Sequence, residues 1–105
     1  MNELNMIDAV VQTIVEHVHP ERIYLFGSRA RGSASPDADI DLVVVADMPG
    51  THRERNRAIR RLFPRRTFGL DVFVYQPHEF ERTKKLLSSI GYIAATEGKV
   101  LYERA

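Results

Sequence analysis

The stretch that decides the fold runs from Arg22 to Val45. It opens as Arg22-Ile23-Tyr24-Leu25-Phe26-Gly27-Ser28-Arg29-Ala30-Arg31-Gly32 and closes as Asp39-Ile40-Asp41-Leu42-Val43-Val44-Val45. Arg22–Phe26 is a short apolar run rich in strand formers, cut off by Gly27. Residues 28–38 are small, basic and turn-prone, with room for about one helical turn. Ile40–Val45 is apolar apart from Asp41, as expected of a strand covered on both faces. The connection between the two strands is slightly short for a parallel crossover, so the pair is predicted antiparallel.

Working outward, Leu4, Ile7, Val10, Val11, Ile14 and Val18 recur with the helical period, giving an amphipathic helix that ends before Pro20. After Asp47-Met48-Pro49-Gly50 a helix is expected from Thr51, a suitable N-cap, to about Phe63. Leu70–Tyr75 follows Gly69 as a third strand, parallel to the second because residues 46–69 leave room for a helical crossover. A helical stretch opens at His78, breaks and resumes over Leu86–Thr96, and Val100-Leu101-Tyr102 makes a last strand. The expected fold is α/β (α+β): a small mixed β-sheet flanked by helices, in a single domain over 1–105.

In that topology the end of strand one and the starts of strands two and three meet at one edge. Asp39 and Asp41, two apart on an extended segment, project from one face, and Asp71 joins them from the neighbouring strand. Carboxylates packed beside Leu42–Val45 are costly without compensating cations, so the set suits one or two hard octahedral ions such as Mg²⁺. Gly27 allows close approach of backbone to a phosphate, and the turn behind it can offer N–H groups and the Ser28 hydroxyl. Arg29 and Arg31 flank the turn as candidate phosphate contacts. Together these residues suit the handling of a nucleoside triphosphate.

Gly27-Ser28, followed at this spacing by Asp39-Ile40-Asp41, resembles the signature of the polymerase-beta-like nucleotidyltransferase superfamily. The run Leu25–Gly32 is similar to its smallest branch, the minimal nucleotidyltransferase (MNT) domain. The resemblance implies two divalent metals held by Asp39, Asp41 and Asp71, nucleotide binding by Gly27, Ser28, Arg29 and Arg31, and transfer of AMP from ATP. It also implies a role as the antitoxin of a HEPN-type ribonuclease toxin, with a toxin tyrosine as acceptor. Many relatives carry serine where this chain has Ala38, a position that contributes at most a hydroxyl. Binding the toxin without chemistry, and transfer to a small molecule, are the competing expectations.

The remaining features narrow the field. The chain has 105 residues, 44% hydrophobic and 28% charged, a balance that opposes intrinsic disorder. It has no cysteine, which removes disulfide frameworks, thiolate zinc sites and cysteine nucleophiles together. No apolar run is long enough for a membrane span, and Met1–Leu4 lacks a secretion signal, so a cytoplasmic setting is expected. Net charge is only +1, yet Arg53, Arg55, Arg57, Arg60, Arg61, Arg65 and Arg66 stand against Glu54 alone. At 100° per residue Arg53, Arg57, Arg60 and Arg61 share one face, opposite Ala58, Ile59, Leu62 and Phe63. That face is either simply solvated or an electrostatic dock for an acidic partner or RNA. Direct nucleic-acid binding is the weaker expectation, since no recognition motif accompanies it. His17, His19, His52 and His78 form no metal-ligand spacing.

Overall fold

A computed structural model describes residues 3–35 and 37–105. Along the chain the elements are α1 (Glu3–Val18), β1 (Arg22–Phe26), α2 (Ser28–Arg31), β2 (Ile40–Val45) and α3 (His52–Arg60). They continue with β3 (Leu70–Tyr75), α4 (Pro77–Thr83), α5 (Ile90–Glu97) and β4 (Lys99–Glu103). The four strands form one mixed sheet in the order β3-β2-β1-β4. β1 is antiparallel to both β2 and β4, while β2 and β3 run parallel.

Strand alternation sorts the core into two layers. Ile23, Leu25, Leu42, Val44, Val72 and Val74 pack on one face beneath Ile7, Val10 and Ile14 of α1 and Ile59 of α3. Tyr24, Val43 and Val45 point to the other face, where Phe80 of α4 and Ala94 of α5 cover them. β2 is buried from Leu42 to Val45 because it is inside the sheet and helices lie on both faces. This is the expected mixed sheet flanked by helices.

Two helix boundaries differ from the sequence reading. α3 stops at Arg60, with Arg61 as its C-cap, rather than reaching Phe63. Thr51 caps its start as expected: its side chain accepts from the Glu54 amide while Glu54 accepts from the Thr51 amide, a reciprocal box. After Thr83 the chain does not resume as helix until Ile90, because Ser88 adopts φ 69° and Ser89 caps α5 by accepting from the Tyr92 amide. Leu86 and Leu87 are left exposed in that bend.

Candidate active site

Two of the three acids, Asp41 and Asp71, come together where the topology requires. Asp41 is the register partner of Asp71 across the parallel β2–β3 pair and of Phe26 across the antiparallel β1–β2 pair. Directly opposed residues project to the same face, so Asp41 and Asp71 stand side by side. Phe26 and Phe73, with ring centroids 6.1 Å apart, bound the pair on the core side. Asp39 precedes the first residue of β2 and is exposed, as is Asp71; Asp41 lies partly buried between them.

Electrostatics single out Asp41. Burial, the charge of Asp71, a hydrogen bond shared with Asp71 and the charge of Asp39 together push its carboxyl up to about 6, against an ordinary 3.8; the Arg29 guanidinium opposes the rise. Carboxylates of like charge standing side by side could share a cation. Their all-oxygen chemistry fits Mg²⁺. Among the described residues no three acid or histidine side chains yet converge as a finished metal cage. Asp41 and Asp71 form the close pair, and Asp39 is turned toward Gly69.

Two glycines make the acids fit. Gly27 sits at φ 75°, ψ −160°, and a Cβ there would come within 2.3 Å of an Asp41 carboxylate oxygen. Its missing side chain is therefore needed for Asp41 itself as well as for the backbone conformation. Gly69, which the sequence reading treated only as the start of a strand, has the matching role at Asp39: a Cβ would lie 1.8 Å from Asp39 Oδ1. The Gly69 carbonyl also accepts from the Ile40 amide at 2.9 Å, tying the start of β3 to the segment between the two acids.

The turn residues divide. Ser28 opens α2, and Arg31 is exposed on the same turn. Gly32 ends the turn in the left-handed conformation. Arg29 faces inward: only 7% exposed, it donates from Nε at 3.0 Å and from Nη2 at 2.6 Å to the Ala38 carbonyl. The guanidinium thus grips the residue immediately before Asp39 and lies buried, whereas the sequence reading expected it at the phosphates. A cavity of about 340 Å³ beside it is lined by Arg29, Asp37, Ala38, Phe68 and Gly69.

Arg55 parts company with the other arginines of its run. It is 4% exposed and donates from Nη2 to Glu79 Oε1 at 2.9 Å and from Nη1 to the Gly50 carbonyl, while its Nε has no hydrogen-bond partner among the described residues. The signal was present in the sequence, for Arg55 lies four residues before buried Ile59 and so on the inward face. His52 completes this cluster at 3.3 Å from Glu79 Oε2. Burial works against the Glu79 charge, but the Gln76 amide, Arg55, His52 and His78 outweigh it and hold the carboxyl below its ordinary range. The cluster borders a larger cavity of about 740 Å³, lined by His52, Tyr75, Glu79, Arg82 and Leu86, at the opposite end of β3 from the acids.

The family model for the nucleotidyltransferase domain matches residues 7–102, a span that contains every element just described except the first residues of α1 and the last of β4. The chain belongs to the nucleotidyltransferase domain family. The fold agrees with a solved structure of a candidate nucleotidyltransferase from Sulfolobus solfataricus, with a TM-score of 0.68. That likeness covers 96% of this chain and 80% of the other at 21% sequence identity. No curated protein matches this chain. Nucleotidyltransferase domains generally act on a nucleoside triphosphate with a divalent metal. No helix among the described residues is long and apolar enough to cross a membrane.

Proposed function

We propose that this nucleotidyltransferase is an MNT antitoxin that transfers AMP from ATP to a tyrosine of a HEPN-type toxin. The observation that carries the reading is the accessibility of the acids. Asp39 and Asp71 are exposed at the sheet edge rather than sunk in an enclosed pocket. An acceptor hydroxyl therefore approaches from solvent, and a side chain on a partner protein suits that approach.

In the proposed reaction Asp39, Asp41 and Asp71 would hold magnesium, which would supply positive charge to the triphosphate and to the departing pyrophosphate. Gly27, Ser28 and Arg31 orient the phosphates, and Arg29 fixes the loop that carries Asp39. The tyrosine oxygen forms a bond to the α-phosphorus as the bond to the pyrophosphate oxygen breaks. The phenolic proton passes to the Asp71 carboxylate, the exposed member of the close pair, and then to water. AMP is left as a phosphodiester on tyrosine, and pyrophosphate leaves.

The test mixes the chain with a HEPN-type toxin, ATP and Mg²⁺. The toxin should gain one or more adenylyl units of ~329 Da each, and its ribonuclease activity should stay low after the proteins are separated. Inhibition that vanishes on separation without a mass change would establish a binding-only antitoxin instead.

A further inference from the structure

Arg53, Arg57, Arg60 and Arg61 lie along the outer face of α3, and Arg65 and Arg66 continue them into the connection that ends at Gly69. Five of the six are exposed and Arg60 is half-buried. None of the six forms an ion pair among the described residues. With these six set aside, the +1 chain would stand at −5. Six of the fifteen basic residues are thus gathered on one strip of surface, and without them the balance is negative.

The topology says where that strip leads. α3 crosses from the far end of β2 back toward the start of β3, rising about 1.5 Å per residue, so Arg53 lies farthest from the acids and Arg60 nearest. The chain from Arg61 to Gly69 then runs to the end of the sheet, where Gly69 packs against Asp39; Asp41 and Asp71 project there on the face opposite the one that α3 covers. We infer that this arginine strip is the docking surface for an acidic face of the protein that carries the acceptor hydroxyl, guiding it to the rim at Asp71. The inference rests on the proposed transfer to a partner protein and names the chemistry of the partner's contact surface.

Charge complementarity selects the occupant. A face of guanidinium groups that form no ion pair among the described residues attracts an acidic surface from a distance and adds bidentate carboxylate contacts on docking. RNA would draw on the same charge, but single-stranded recognition also stacks bases on aromatic rings. Phe63 and Phe68, the aromatic residues of this region, pack against the core instead. Buried Arg55 takes no part, because its guanidinium is committed to Glu79 and Gly50.

The test measures association of the intact chain with a HEPN-type toxin at low and high salt, for wild type and for the R57E/R60E/R61E and R57Q/R60Q/R61Q variants. Folding is verified by far-UV dichroism and binding of a fluorescent ATP analogue. The on-rate of wild type should fall about tenfold or more from low to high salt. Charge reversal should lower the low-salt on-rate by about tenfold or more and flatten the salt dependence, with the glutamine variant intermediate. ATP-analogue binding should be unchanged in both variants. Equal on-rates for all three proteins overturn the inference, as does parallel loss of ATP-analogue binding, or displacement of the toxin by an oligo-uridine RNA that wild type binds and the reversal variant does not. A toxin that neither binds wild type nor receives AMP overturns the proposed function and the docking surface with it. A toxin that receives AMP at a rate indifferent to arginine reversal overturns the docking surface alone.

Discussion

Replacing Asp41 with Asn should make the metal-free domain more stable at neutral pH while destroying transfer. The Asp41 carboxyl is held up to about 6 rather than 3.8 by burial and by the neighbouring Asp71 and Asp39 charges. Its folded form thus retains a proton in a range where the unfolded chain has lost it. Between those values the folded state binds more protons, so this group's contribution to stability falls as pH rises and reaches its full penalty above about pH 6. At about 1.4 kcal/mol per pH unit the whole difference would be about 3 kcal/mol. Solvent screening at this partly exposed carboxylate reduces the expected gain to about 1–2 kcal/mol. Asn is nearly isosteric, fits against Gly27 and can donate to Asp71. Urea unfolding in EDTA should therefore show D41N above wild type by that amount at pH 7.5, shrinking to about 0.5 kcal/mol at pH 4. Mg²⁺ should raise wild type toward D41N and leave the variant nearly unmoved. Equal stabilities at pH 7.5, or a gap that persists unchanged at pH 4, would refute the account of crowded acids.

The other predictions probe the parts around that carboxylate. Gly69→Ala should cost under about 1 kcal/mol in urea unfolding, because exposed Asp39 can swing away, yet lower transfer about a hundredfold by moving that acid. Gly27→Ala should be worse on both counts, losing about 1–2 kcal/mol as well, since φ 75° strains any side chain there. Arg29→Lys should keep the fold by circular dichroism but reduce kcat by about tenfold or more, since a lysine cannot reproduce the paired donation to the Ala38 carbonyl; unchanged kcat would remove its positioning role. Arg55→Ala should destabilise the domain by about 3 kcal/mol, leaving Glu79 without its buried partner, whereas exposed Arg57→Ala should change stability by less than about 0.5 kcal/mol.

The sequence by itself determined the strands and the pairing of Asp41 with Asp71. Arg22–Phe26, Ile40–Val45 and Leu70–Tyr75 are bounded by glycines, turns and polar residues, and each is apolar enough to have only one stable place, inside a sheet. Connection lengths then oriented the strands, and orientation alone brings Gly27, Asp41 and Asp71 to one edge. Strand pairing is a short-range consequence of chain geometry, so it can be read along the chain. What a long side chain does at the end of several rotatable bonds cannot. Arg29 and Arg31 are near neighbours on one turn, yet one is buried on the Ala38 carbonyl and the other exposed. Arg55 and Arg57 are equally basic letters, yet only Arg55 meets a glutamate from a helix 24 residues away. Gly69 looked like the start of a strand until Asp39, from another part of the chain, took the space its side chain would have filled. Tertiary structure decided these assignments, because burial and partnership of a charged group depend on what the rest of the fold places opposite it.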